Sequence, residues 1–209
     1  MQDILKNQHR PQLRPHGLNN KNLFIKGWYI DPSVCVELVN MFNCNTLNWE
    51  KGQVAKDEEK QIAEDYKQST ELTLNIFDEE NEVIKNYHNQ LKNVADLYVD
   101  TFPASVNLVN PWSPSPKVNI QRYLPGEGFH KFHSERSGGT KTVNRHLVFM
   151  TYLNTIQKGG QTHFLHQDIK LQPEEGLTVI WPVDWTYTHK GLTTEDEIKY
   201  IITGWFDFL

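Results

Sequence analysis

Hydrophobic and polar positions divide the chain into a helical first half and a strand-rich second half. In 31–42, "DPSVCVELVNMF", apolar residues recur on one helical face, Asp31 can cap the helix, and Pro32 suits its first turn. Segment 78–102 repeats apolar residues at helical spacing over a longer stretch, which predicts an amphipathic helix packed on a core. The charged segment 56–67, "KDEEKQIAEDYK", indicates a short exposed helix.

Short β-rich segments, separated by glycine, proline and charged turns, dominate the chain from about residue 117. This texture is typical of an antiparallel sandwich or barrel. The predicted strands, two of them in the first half, are 23–30, 71–77, 117–124, 128–134, 145–153, 161–165, 177–181 and 200–208. Because the helices come first and most strands follow, we predict an α+β fold with the helices packed against the outside of one sheet.

Composition limits the class of protein further. A chain of 209 residues fits one domain, which we place at 21–209 with the strand-rich core at about 117–209, preceded by a flexible arm at 1–20. A net charge of −5 gives no support for a nucleic-acid partner. No apolar run approaches the roughly 20 residues that span a bilayer, and the polar N-terminus lacks a signal-peptide core. With two cysteines and no disulfide framework, we expect a cytoplasmic protein without a membrane partner.

Two histidine–acid pairs are candidates for a metal site. Open iron sites in oxygenases commonly use two histidines and one carboxylate, and a His-x-acid pair on a strand points both side chains to one face. The chain contains His133–Glu135 and His166–Asp168, and a lone histidine, His189, follows. The segment from His133 to His189 is long enough for several strands, whereas the segment from His166 to His189 is not. We therefore select His133, Glu135 and His189, and interpret His166 and Asp168 as a solvated hairpin.

Lys199 strengthens the hypothesis of an active site. It begins the apolar segment "KYIITGW", and lysine is rarely buried without a partner. There it could pair with a carboxylate carried by a ligand, although a lysine with its head group in water remains an alternative.

Four segments in order resemble the Fe(II)/2-oxoglutarate-dependent dioxygenases, specifically the prolyl-4-hydroxylase-like branch. They are "QRYLPGEGFHKFHSE", "RHLVFMTYLNTIQKGGQTHF", "LQPEEGLTVIWP" and "THKGLTTEDEIKYIITGW". The resemblance implies a double-stranded β-helix, also called a jelly roll, with flanking helices. It also implies Fe(II), 2-oxoglutarate and O2, with ascorbate as a supporting reductant. The expected reaction hydroxylates a C–H bond and releases succinate and CO2.

The same resemblance implies roles for individual residues. His133, Glu135 and His189 match the iron ligands. Tyr123, Thr162, Lys199 and Trp205 match positions of the 2-oxoglutarate pocket, where Lys199 and Tyr123 would hold the far carboxylate. Arg145 matches an arginine that faces the substrate in some members, and Trp185 is a further candidate for substrate contact near the cavity mouth.

Two departures and two rival interpretations remain open. The ligand acid is Glu135 where aspartate is commoner, and Asp207 stands where prolyl hydroxylases often have a histidine, so the prime substrate could be a prolyl residue, another protein residue or a small molecule. One rival is a cupin-like metalloenzyme that uses His130 or His163 without 2-oxoglutarate. The other is a non-catalytic β-sandwich that binds partners through its aromatic residues.

Overall fold

The structure is a computed structural model that describes residues 12–18, 23–56, 59–61, 63–106 and 111–209. Two α-helices precede most of the strands. Helix α1 spans Pro32–Cys44, and the side chain of Asp31 caps it by accepting from the backbone N–H of Ser33. Helix α2 spans Glu82–Thr101 and is capped by Asn81. In each helix the capping side chain accepts from backbone N–H groups of the first turn, which have no partner within the helix.

The strands are short, except for the central ones. They are β1 (Arg14–Pro15), β2 (Lys26–Tyr29), β3 (Glu50–Lys51), β4 (Val54–Lys56), β5 (Glu59–Gln61), β6 (Thr70–Asn75), β7 (Trp112–Pro114), β8 (Lys117–Tyr123), β9 (Arg145–Tyr152), β10 (Thr162–Phe164), β11 (Ile169–Leu171), β12 (Leu177–Pro182), β13 (His189–Gly191) and β14 (Lys199–Phe208). Single 3-10 turns occur at Thr46–Asn48, Pro103–Ser105 and Trp185–Tyr187.

Two antiparallel sheets face each other. The larger has the order β1-β2-β12-β9-β14-β8-β6-β3, with β7 paired to β14, and the smaller has the order β11-β10-β13. Residues 128–133 extend the smaller sheet, because the backbones of His133 and His189 exchange two hydrogen bonds of 2.9 Å. The chain therefore has the mostly antiparallel α+β jelly-roll architecture that the sequence predicted.

The core has two parts, one on each face of the larger sheet. The helices cover the outer face, where Leu38 of α1 and Leu91 of α2 are completely buried. The inner face packs against the smaller sheet through residues such as Val179, Trp181 and Phe164. Strand β9 contributes to both parts, since its residues from Leu147 to Tyr152 are all buried. The site residues extend from this inner layer.

The prediction of a helix at 56–67 is wrong for the described residues of this segment, while 57, 58 and 62 lie outside them. Strands β4 and β5 form an antiparallel pair there, with Ala55 opposite Lys60. Residues 66–68 then run beside 128–130, since the N–H of His130 donates to Tyr66 and the N–H of Gln68 donates to Gly128. Strand pairing, local between β4 and β5 and long-range between 66–68 and 128–130, prevails over the preference of a charged stretch for helix.

The arm predicted at 1–20 lies largely outside the described residues. Where it is described, Arg14 and Pro15 form β1 and pair with Tyr29 and Trp28 of β2. The division into arm and domain stays a prediction. Within the described residues, α-helices do not reach the length and apolarity needed to cross a membrane.

Candidate active site

Three side chains converge between the two sheets. His189 begins β13, and His133 lies opposite it in the extended segment that pairs with this strand. Glu135 follows two residues after His133, and its backbone N–H donates to the carbonyl of Val183. One ligand atom from each of the three side chains lies within 4.8 Å of the others. In the described part of the chain, this is the one group of three or more histidine, cysteine or acidic residues that could hold a metal ion.

Both histidines present Nε2 to the centre of this group. Nδ1 of His133 lies 3.2 Å from the carbonyl of Lys131, and Nδ1 of His189 lies 2.9 Å from the carbonyl of Tyr187. A carbonyl can only accept, so each Nδ1 donates to it, and Nε2 is the ring atom that would offer a lone pair to a metal ion. The Nε2 atoms lie 3.4 and 3.5 Å from Oε1 of Glu135. This is the tautomer and spacing that a shared metal ion requires.

The protonation states also fit a cation. Burial, and then the neighbouring His189, lower the pKa of His133 and favour its neutral form. Burial works against ionisation of Glu135, but hydrogen bonds and positive charge from the two histidines, with protons on Nε2 in place of a metal ion, prevail and hold the pKa of this carboxyl well below its usual range. Two imidazoles and one carboxylate form the donor set typical of non-haem Fe(II) sites.

Aromatic rings fix the orientation of both histidines. Phe129 stacks on the ring of His133 with centroids 3.6 Å apart, and the edge of Trp181 meets His189 at 5.2 Å. The sequence did not identify either contact. The backbone bends at Lys131, between Phe129 and His133, and this bend brings the two rings together, since four residues of straight strand would hold them roughly 13 Å apart.

Lys199 is buried beside this centre, with only 3% of its surface exposed. Its Nζ donates to the carbonyl of Gly160 at 3.1 Å and lies 4.7 Å from the ring centroid of Tyr123. Among the described residues, carboxylates form no ion pair with it. Burial alone lowers the pKa of this amine to about 8. A buried, unpaired amine at this position is suited to an anionic ligand.

A glycine turn places the carbonyl that Lys199 contacts. Gly159 and Gly160 both adopt positive φ, at 75° and 69°. A side chain on Gly159 would come within 2.4 Å of the carbonyl oxygen of Thr193. Positive φ favours glycine at both positions, and the close approach of Thr193 requires it at Gly159.

Tyr123 and Thr162 lie in the same buried layer, but their hydroxyls already have partners. The hydroxyl of Tyr123 donates to Gln121 at 2.6 Å, and burial raises its pKa well above the usual range. Oγ1 of Thr162 accepts from Tyr152 at 2.6 Å. Tyr152 was not identified from the sequence, although the alternation of β9 places it on the inner face.

Trp205 and Arg145 contact Glu135. The indole Nε1–H of Trp205 donates to Oε2 of Glu135 at 3.0 Å, and Nη1 of Arg145 donates to the carbonyl of Glu135 at 2.6 Å. The guanidinium also stacks 3.5 Å above the centroid of the indole. The indole of Trp205 thus contacts the candidate metal ligand and Arg145, and it also packs against the inner core.

The remaining candidates lie away from the three converging side chains. Trp185 is 69% exposed, and its ring packs edge-on against His166. His166 and Asp168 are exposed in the hairpin between β10 and β11, as the sequence indicated. His130 contacts Gln68, and His163 contacts Phe132.

Residues 118–207 match the family described as the 2OG-Fe(II) oxygenase superfamily. The matched residues include His133, Glu135, His189 and Lys199. The oxygenase therefore uses Fe(II) and 2-oxoglutarate as a 2-oxoglutarate-dependent hydroxylase, and this reaction is favoured over both a binding module and a metalloenzyme without 2-oxoglutarate.

Solved structures share the fold of the oxygenase at low sequence identity. The viral collagen prolyl hydroxylase of Paramecium Bursaria Chlorella virus-1, in a 2OG complex, has a TM-score of 0.66 at 15% identity and covers 89% of this chain and 97% of its own. A prolyl-4-hydroxylase of Pseudomonas putida has a TM-score of 0.66 at 13% identity and covers 88% and 92%. A prolyl hydroxylase of Trichoplax adhaerens, complexed with a hypoxia inducible factor peptide, has a TM-score of 0.62 at 16% identity and covers 84% and 77%. A comparison with curated protein sequences finds no match.

Proposed function

We propose that the oxygenase hydroxylates a prolyl or other residue of a protein or peptide, with His133, Glu135 and His189 as the Fe(II) ligands. The observation that carries the proposal is the convergence of these side chains, one ligand atom from each lying within 4.8 Å of the others. Two Nε2 lone pairs and an ionised carboxylate supply one negative charge to a divalent ion. Three ligands on one side leave positions for a chelating cosubstrate and for O2.

We propose that Lys199 binds the far carboxylate of 2-oxoglutarate. The amine of Lys199 is buried and lies beside the ring of Tyr123. It has no acidic partner among the described residues. An incoming carboxylate would raise the pKa of Lys199 and replace the hydration that burial removes. Tyr123 and Thr162 could donate to the same carboxylate after their hydroxyls rotate away from their present partners.

The bound Fe(II) and 2-oxoglutarate would activate O2, convert 2-oxoglutarate to succinate and CO2, and oxidise a substrate C–H bond. The residues of the chain hold these groups in place. Phe129 packs on the ring of His133 and Trp181 packs on the ring of His189, which limits the access of water to both rings. Arg145 and Trp205 flank Glu135 on its other side, where a substrate residue would approach.

A protein or peptide substrate is supported by the solved relatives, which are prolyl hydroxylases, one of them with a bound peptide. The exposed indole of Trp185 offers a contact for such a chain. Proline is one candidate residue among several. Asp207 accepts a hydrogen bond from Ser115 through Oδ2, whereas its buried Oδ1 has no hydrogen-bond partner among the described residues.

Mass spectrometry of peptides incubated with the protein, Fe(II), 2-oxoglutarate and ascorbate tests the substrate class. A proline-containing library and a matched library with alanine at each proline position would be compared, using His133→Ala as the inactive control. Gain of one oxygen atom on a peptide, absent with the variant, supports the proposal. Oxidation of free amino acids or other small molecules, with every peptide unchanged, would overturn it.

A further inference from the structure

We propose that Trp205 and Arg145 are positioning residues that clamp Glu135, so that one oxygen of its carboxylate is held toward the metal ion. This inference rests on the proposed function, because it assumes that Glu135 is a ligand. It adds a role for two side chains that the resemblance assigned to the cosubstrate pocket and to the substrate.

The two oxygens of Glu135 have different surroundings. Oε1 lies 3.4 Å from Nε2 of His133 and 3.5 Å from Nε2 of His189. Oε2 accepts from the indole of Trp205 at 3.0 Å and lies 3.5 Å from Nη1 of Arg145. The carboxylate is thus divided into a metal-facing oxygen and a clamped oxygen.

Arg145 fixes the indole as well as the acid. Its guanidinium lies 3.5 Å above the centroid of Trp205, and its Nη1 also donates to the backbone carbonyl of Glu135. A planar guanidinium can stack and donate in this way at once, whereas lysine cannot. Main chain and side chain of Glu135 are therefore held by one pair of residues.

A glutamate needs such a clamp more than an aspartate would. Its extra rotatable bond costs more conformational entropy to fix, and an unfixed carboxylate binds a metal ion less tightly. An aspartate at 135 would be shorter by one C–C bond, about 1.5 Å. Such a carboxylate could reach the metal ion or the Trp205 indole without backbone movement, but it could not reach both. The hydrogen bond from Trp205 should consequently matter for Glu135 and not for an aspartate at the same position.

Mn(II) binding by the full chain, measured by titration calorimetry, tests this coupling in a double-mutant cycle. The four proteins are wild type, Trp205→Phe, Glu135→Asp and the double variant. Phenylalanine keeps a ring under Arg145 and removes the Nε1–H. We expect Trp205→Phe to weaken Mn(II) affinity by about 10-fold or more in the wild-type background, as loss of a partner to a ligand typically does. In the Glu135→Asp background we expect the same substitution to change affinity by less than about 2-fold.

An equal loss in both backgrounds, or no loss in the wild-type background, would overturn the clamp. Trp185→Phe, which removes an exposed indole N–H, is the matched control and should leave Mn(II) affinity unchanged. The visible absorption of bound Co(II) gives a second readout, and we expect Trp205→Phe to shift it because the carboxylate reorients. If Trp205→Phe does not fold, Arg145→Met in the same two backgrounds carries the same expectation.

Failure of the proposed function would look different. If the wild type itself bound no Mn(II), both the metal site and the clamp would be wrong. If the wild type bound Mn(II) and Trp205→Phe bound it equally well, the clamp alone would be wrong.

Discussion

Replacing Lys199 by methionine is expected to stabilise the folded protein while removing its affinity for 2-oxoglutarate. The amine is 3% exposed, and burial lowers its pKa from 10.5 to about 8. Each pKa unit corresponds to about 1.4 kcal/mol, so keeping this lysine charged at neutral pH costs the folded state about 3 kcal/mol. Methionine has a similar length and carries no charge. Losing the hydrogen bond to the carbonyl of Gly160 offsets about 1 kcal/mol of the gain, which leaves about 2 kcal/mol.

The pH dependence identifies the source of this gain. Below pH 8, folded and unfolded wild type both bind the proton on Lys199, and the full cost is present. Between about 8 and 10.5 the unfolded chain binds more protons than the folded one, so wild-type stability rises with pH and the advantage of Lys199→Met shrinks.

Urea denaturation of both proteins at pH 7 and pH 10 measures the difference. A gain of about 2 kcal/mol should also appear as a melting temperature about 4–8 °C higher at pH 7. Lys170→Met, which replaces an exposed lysine of β11, is the control and should change little. In a second series, 2-oxoglutarate with Mn(II) should raise the melting temperature of the wild type and not that of Lys199→Met. A variant less stable than the wild type at pH 7, or a gap that is constant up to pH 10, would refute the reasoning.

Three further substitutions probe other parts of the structure, each measured by urea denaturation. Tyr152→Phe removes a fully buried hydroxyl that donates to Thr162, and should cost about 1–2 kcal/mol; an unchanged midpoint would contradict the buried hydrogen bond. Asn81→Ala removes the cap of α2 and should cost about 1 kcal/mol with Mn(II) affinity unchanged, whereas a parallel loss of metal binding would show that the helix end supports the site. Gly204→Ala brings a methyl group within 2.6 Å of Phe149 and should cost about 1–3 kcal/mol; a stability equal to that of the wild type would mean that the core yields there freely.

Periodicity predicted the elements that bury a continuous face. Helices α1 and α2 and the long strands β8, β9, β12 and β14 were all recognisable, because each carries enough apolar residues to show its repeat. The two- and three-residue strands β1, β3, β7, β11 and β13 were not, since their existence depends on the partner strand. The helix predicted at 56–67 was wrong for the same reason, since part of this segment forms the paired strands β4 and β5.

The metal-site hypothesis followed from spacing, but its surroundings did not. His133, Glu135 and His189 could be selected because the distance along the chain allowed facing strands. The contact between Trp205 and Glu135 joins residues 70 positions apart, and a single sequence contains no signal for it. The stacking of Phe129 on His133 is local, but it depends on the bend at Lys131, which strand alternation does not predict.

Succinate formation from 2-oxoglutarate, with Fe(II) and ascorbate, tests the central claim most directly, and wild type should be compared with His133→Ala under identical conditions. Binding of 2-oxoglutarate in the presence of Mn(II) is measured as well, because an oxygenase that forms no succinate without its prime substrate would still bind 2-oxoglutarate. We predict Fe(II)-dependent succinate or metal-dependent 2-oxoglutarate binding by the wild type, and neither by the variant. Equal succinate from both proteins, or a wild type that neither binds nor converts 2-oxoglutarate, would contradict a metal centre built on His133, Glu135 and His189.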